Sequence, residues 1–244
     1  MNALEARALG GRIAALVEAG QVHQAYVLLA PVLAERTPFP ILGNIGEMVG
    51  GGPLPAVNGF LEHIAAHRTE GGWVVIGTAL GRQLDRDLHG AFARCRNFTI
   101  LADVWYATDI LGERVPGPAL VAFLSSALQF LAPWREDPNR WVRRTVGVAV
   151  HFWAKRTRGA QASLRPAEAL LSFVEPMFSE RDMDAVKGVG WGLKTLGGYY
   201  PDLVADWLAQ QVVVRQLPFR ALLLRKALTY LSEEQRARAR GKAR

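Results

Sequence analysis

Three stretches of this chain share one pattern of small and apolar residues: Trp73-Val-Val-Ile-Gly-Thr-Ala-Leu80, Arg144-Thr-Val-Gly-Val-Ala-Val150 and Lys187-Gly-Val-Gly-Trp-Gly-Leu193. Each falls on a helical segment that follows another helical segment. Small residues inside a helix allow close packing against a neighbouring helix. With the 99–112 segment taken as a further member, the recurrence falls about every 30–45 residues, the range of paired-helix repeat proteins. The chain is also punctuated for helices. Pro31, the Pro38/Pro40 pair, Gly50-Gly51-Gly52-Pro53, Pro116, Pro133, Pro166, Pro201 and Pro218 separate segments of 12–18 residues rich in Ala, Leu, Arg and Glu. Strand-like alternation is scarce. The pattern predicts helices over 3–19, 21–35, 53–68, 72–84, 99–112, 117–132, 138–156, 166–177, 182–197, 200–214 and 218–231. The expected fold is all-α: a HEAT-like helical-repeat solenoid with a concave basic groove. It comprises a single repeat domain over 1–231 and a basic tail over 232–244.

Composition excludes several alternatives. Half of the 244 residues are hydrophobic, too many for a disordered chain. A single cysteine, Cys95, rules out an internal disulfide framework and suits a reducing compartment. The start lacks the apolar run of a signal peptide. The longest apolar stretch, 117–134, is broken by Ser125, Ser126 and Gln129, so a buried helix is expected there rather than a membrane span. No phosphate loop of the GxxxxGK[ST] type occurs, nor a strand–GxGxxG–helix unit.

The net charge of +7 is unevenly placed. Residues 1–134 carry nine basic and eleven acidic side chains, whereas 135–165 alone carry eight basic and two acidic ones. The tail adds Arg236, Arg238, Arg240, Lys242 and Arg244. A localised basic patch is the footprint of a polyanion partner. For the tail, a frayed, solvated terminus is the preferred reading.

Placing residues at 100° per position sharpens this. Over 99–112, Ile100, Val104, Ala107 and Leu111 form the core stripe, and Trp105 with Asp109 lies opposite. Over 138–156 the stripe is Val142, Val146, Ala149 and Trp153. The other face carries Arg140, Arg144, His151 (if protonated) and Lys155, with Arg158 just beyond. Over 182–197 the stripe is Ala185, Val189, Leu193 and Leu196, opposite Asp184, Lys187, Trp191 and Lys194. A tryptophan away from the core stripe needs a second packing surface or a function. Cations interleaved with aromatics suit a nucleic-acid backbone. A carboxylate among them opposes a polyanion unless it activates water or stabilises a developing cation. Taken singly, each tryptophan also fits packing under a neighbouring helix, and the arginine row also fits a solvated face.

At these residues the chain resembles the bacterial DNA alkylation repair glycosylases of the AlkD-like, HEAT-repeat superfamily. The resemblance lies in VWYATDILG (104–112), NRWVRRTVGVAVHFWAK (139–155) and AVKGVGWGLKTLGGYYPDLVADWL (185–208), and covers roughly 92–210. It implies release of cationic N-alkylated purines, of the N7-methylguanine and N3-methyladenine type, from double-stranded DNA. By the resemblance, Asp109 stabilises the sugar cation and positions or deprotonates water, and Trp105 and Trp191 pack against deoxyribose. Arg144, with Arg143 as its neighbour, matches the family arginine. Phosphates would be held by Arg144 with Arg140, Lys155, Lys187 and Lys194, and Arg143, His151 and Arg158 belong to the same DNA-binding set. No metal or cofactor is implied, and the protein is expected to act as a cytoplasmic monomer away from membranes. A non-catalytic HEAT-like nucleic-acid-binding module or a protein scaffold is the alternative from the residues alone.

Other signals are weaker. His63 and His67 have the spacing of helical zinc ligands, but no HExxH pattern or third ligand accompanies them. Cys95 sits between Arg94 and Arg96, Ser125-Ser126 lacks a nucleophile elbow, and Tyr199-Tyr200 belongs to the turn after the 182–197 helix.

Overall fold

The computed structural model describes residues 1–241. Among them there is no strand. The helices are α1 (Ala3–Glu18), α2 (Val22–Ala34), α3 (Phe39–Gly50), α4 (Leu54–Ala66), α5 (Glu70–Gly81), α6 (Leu88–Ala102) and α7 (Trp105–Arg114) in one compact unit, Met1–Val115. A second unit, Pro116–Arg244, holds α8 (Pro116–Ala122), α9 (Leu124–Leu131), α10 (Arg140–Thr157), α11 (Leu164–Val174), α12 (Met183–Tyr199), α13 (Pro201–Ala209), α14 (Ala221–Ala227) and α15 (Glu233–Ala239). None of these is long and apolar enough to cross a membrane.

Both units repeat one rule. In the first, α1, α3, α5 and α7 pack side by side, with α2, α4 and α6 as a second layer. In the second, α8, α10, α12 and α14 do the same, with α11, α13 and α15 behind them. Equivalent contacts recur at separations of 32 to 44 residues, as in Gly46 with Thr78, Gly117 with Phe152 and His151 with Thr195. Along α10 and α12 the partners advance together: Arg140 with Asp184, Gly147 with Gly192, His151 with Thr195, Thr157 with Tyr200. Such constant offsets mean parallel neighbours, the geometry of an all-α helical-repeat fold.

Glycines make the approach possible. A Cβ at Gly46 would lie 2.7 Å from the Val75 carbonyl oxygen, one at Gly192 2.7 Å from that of Gly147, and one at Gly117 2.7 Å from Phe152. At Gly147 a Cβ would fall inside the Gly188 backbone. The small-residue pattern therefore marks helix crossings. The stripes read from sequence over α10 and α12 are buried throughout. α10 is also buried beyond its stripe, because α8 and α12 flank it within its own layer.

The structure corrects several boundaries. No helix was expected over 36–52, where Pro38, Pro40 and the glycines read as breaks. There Pro38 and Pro40 start α3, since proline suits the first helical turn, and Gly46 and Gly50 sit on the helix where α5 approaches. The expected 99–112 helix is two helices. α6, capped by Asp87, ends at Asp103, whose φ of 47° is left-handed, a conformation aspartate tolerates. Val104 is therefore the N-cap of α7, not a core position. Phe123 divides the expected 117–132 helix into α8 and α9. In the tail, Ser232 and Gln235 form a capping box that starts α15. Arg236 donates to the Leu228 and Thr229 carbonyls, and Arg238 pairs with Asp202 and Asp206. Lys242 and Arg244 lie outside the described residues.

Two glycine substitutions should separate packing from propensity. Gly147→Ala should lower unfolding free energy by about 2 kcal/mol or more, because backbone stands where the methyl group must go. Gly59→Ala, in α4 with open space around it, should raise it by about 0.5–1 kcal/mol through helix propensity. Urea unfolding of both variants measures this.

Candidate nucleic-acid interface

The seam between α10 and α12 gathers most of the residues singled out by sequence. Asn139 caps α10 by accepting from the Trp141 and Val142 amides. Asp182 caps α12 through the Asp184 and Ala185 amides. Both helix starts are thus fixed, and their parallel register sets which side chains meet. Asp184 receives Arg140 at 3.6 Å and Lys187 at 3.3 Å.

Arg144 does not stand in an exposed cationic row. It is 7% exposed, its stem occupies the space a side chain at Gly188 would need, and it donates to the Asp184 carbonyl oxygen at 3.2 Å. Arg143 also departs from expectation. Its guanidinium donates to Glu180 through Nε at 2.7 Å and to the Asp137 carbonyl oxygen at 2.6 Å. This pairing ties α10 to the segment before α12. Lys155, Arg156 and Arg158 at the end of α10 are exposed.

One turn further along the seam, His151 stacks on Trp191, with centroids 3.8 Å apart and planes 23° from parallel. Its Nδ1 lies 2.7 Å from Thr195 Oγ1. The Thr195 hydroxyl donates its proton to the Trp191 carbonyl oxygen at 3.0 Å. The histidine Nδ1 must therefore carry the proton and donate, which leaves the lone pair on Nε2. Trp191 is half-buried, held by this stack rather than by the core. Lys194 Nζ lies 5.0 Å from the Tyr230 ring centroid, a cation–π contact. Lys155, Trp191, Lys194, Thr195, Tyr199 and Tyr230, with His151, line an open pocket of about 580 Å³.

Sequence reading missed Thr195, Tyr199, Tyr230 and, on α14, Lys226. The repeat spacing carries the signal: Tyr230 stands to Lys194, and Lys226 to Gly190, as one repeat to the next. Burial first, then Lys194, Arg144, Arg225 and Lys187, hold the Lys226 pKa below the ordinary lysine value. Cations from α10, α12 and α14 therefore act on the Lys226 ammonium.

In the first unit, Trp105 opens α7 and is 57% exposed, with its ring edge-on to Tyr106 at 5.9 Å. Asp109 follows one turn later and is half-buried. α7 is anchored by its opposite side: Ala107, Thr108 and Leu111 are buried, and Arg114 packs over Gly77. A large indole is thus left in solvent beside a carboxylate on the same helix side.

The remaining signals resolve into structure. Tyr26 stacks on His67 at 4.1 Å and meets His63 edge-on, so both histidines join an aromatic cluster. Burial pushes the Cys95 thiol up to about 12, which leaves it unreactive. Tyr200 caps α12 and is buried, while Tyr199 faces the pocket.

His151, which joins the cations only if protonated, is neutral at pH 7. Burial, followed by Lys155 and Lys194, pushes its pKa down to about 4. The unfolded chain takes up this proton near pH 6.5, the folded chain only near 4. Its contribution to stability is complete above pH 6.5 and is lost as pH falls toward 4. Thermal melts across this window should show a decline that His151→Gln makes shallower; equal slopes in both proteins would refute the assignment.

A family description of DNA alkylation repair enzymes matches residues 74–231. No curated relative and no solved structure matches the chain. The matched span runs from α5 through α14 and contains Trp105, Asp109, Arg144, Trp191 and the whole cationic cluster. With well over half of its length matched, the chain belongs to the DNA alkylation repair enzyme family.

Proposed function

We propose that this protein is a monofunctional DNA N-glycosylase that releases cationic N-alkylated purines, of the N7-methylguanine and N3-methyladenine type, from double-stranded DNA. The observation that carries the reading is the set of cations Arg144, Lys187 and Lys194 acting on Lys226, drawn from three parallel helices of a DNA alkylation repair family member. Such a cluster is costly without a polyanion and favourable with one. The expected basic groove would run over this face. Arg140 and Lys155 add charge there, Arg158 lies at its end, and the indole of Trp191, held flat by His151, offers a surface to deoxyribose.

Asp109 supplies the chemistry. An N-alkylated purine already carries positive charge, so its glycosidic bond breaks without strong acid catalysis. The bonding electrons leave with the neutral base and positive charge develops on the sugar. A carboxylate stabilises that cation and takes a proton from the water that adds to C1′. Trp105, one turn away and exposed, packs against the sugar and limits solvent there. The reaction asks nothing of a metal, a cofactor or a second copy of the chain. Its place is the compartment that holds the DNA, which for a bacterial-type enzyme is the cytoplasm.

The test is incubation with methylated duplex DNA and chromatography of the released bases. The wild-type protein should release alkylpurines. Asp109→Asn should lose about 100-fold or more in single-turnover rate while still binding DNA, and Trp105→Ala about tenfold. Salt-sensitive binding by wild type with no base release would identify a non-catalytic DNA-binding module instead, and absence of both a scaffold.

A further inference from the structure

We propose that Lys226 binds a backbone phosphate of the DNA, which makes α14 a third DNA-contacting helix beside α10 and α12. The inference rests on the DNA-directed reading above and extends it to a helix that no sequence motif marked.

The stem of Lys226 runs over Gly190, where a Cβ would lie 2.7 Å from its Cδ. Glycine at 190 therefore lets the lysine lie across α12. Lys187 and Lys194 stand three residues before and four after Gly190, on the same side of α12. Two helical turns separate them, about 10 Å, and Lys226 enters between them. The charges of Arg144 on α10 and of Arg225 on α14 itself also act on its ammonium group.

Counter-charge is scarce. Asp184, on the same side of α12, is shared between Arg140 and Lys187. Among the described residues no carboxylate forms an ion pair with Lys226 or Lys194. Lys194 instead rests on the Tyr230 ring. Like charges held this close repel one another, and a helix surface that serves only packing gains nothing from them. A phosphate diester removes the repulsion, and a compact ammonium group suits it as a point charge.

The experiment is fluorescence anisotropy of a labelled duplex between 50 and 200 mM salt, with wild type, Lys226→Ala and Lys226→Arg. One lost phosphate contact lowers the magnitude of the log–log salt slope by about 0.9. Over that fourfold salt range Lys226→Ala should therefore lose about 3.5-fold less affinity than wild type does. Lys226→Arg should restore the wild-type slope, and the melting temperature of Lys226→Ala should be equal or higher, since a repelled cation is gone. An unchanged slope in Lys226→Ala, with wild type binding normally, overturns this inference and leaves the proposed function standing. Failure of wild type to bind DNA even at 50 mM salt overturns both.

Discussion

The second unit depends on the near-contact of two glycines. Gly147 of α10 meets the backbone at Gly188 of α12, and Gly192 lies against Gly147 in turn. No side chain separates the helices there, so they run parallel at a separation that any larger residue would increase. The register follows from that contact. It places Asp184 at Arg140, the stem of Arg144 over Gly188, and His151 on Trp191 with Thr195 as its hydrogen-bond acceptor. Gly190 repeats the device toward α14 and admits Lys226. The same glycines that look like helix weaknesses in isolation are what lets the stems of Arg144 and Lys226 pack on the surface of α12.

That surface shows how packing changes what a charge can do. Arg143 and Arg144 are adjacent in sequence and chemically identical, yet they part in role. Arg143 is held by Glu180 and the Asp137 carbonyl and contributes to stability. Arg144 is nearly buried, with its stem serving as packing and its charge felt as far as Lys226. His151, in the same row, is neutral because burial and two lysines oppose its proton. A neutral imidazole stacks flat on an indole, and its Nδ1–H fixes the ring through Thr195. The aromatic surface at Trp191 is thereby held rigid among cations without adding to their repulsion.

Much was legible beforehand. The all-α repeat follows from helix-length segments and recurring small residues, and the core stripes of α10 and α12 follow from a 3.6-residue period. Trp105 and Trp191 stood out because each lies off its stripe, and in the folded chain neither sits in the core. What failed was local punctuation. Proline and glycine over 38–52 read as breaks, but they start α3 and line its crossing with α5. Asp103 gave no signal of ending α6, because an aspartate fits a helix interior almost as well as a left-handed cap. Lys226 and Tyr230 were invisible because a wheel drawn on one helix says nothing about its neighbour.

The sequence by itself determined the helical period, the helix-rich repeat, the concentration of positive charge after residue 134 and the identity of the aromatic and acidic residues available for chemistry. These are properties of spacing and composition, which a linear pattern contains. Only the tertiary structure decided which cations are spent on structure, which stay available, and which titrate away from their ordinary values. Those outcomes depend on burial and on contacts between residues 36 to 45 positions apart. Such contacts exist only once the glycines bring α10, α12 and α14 together.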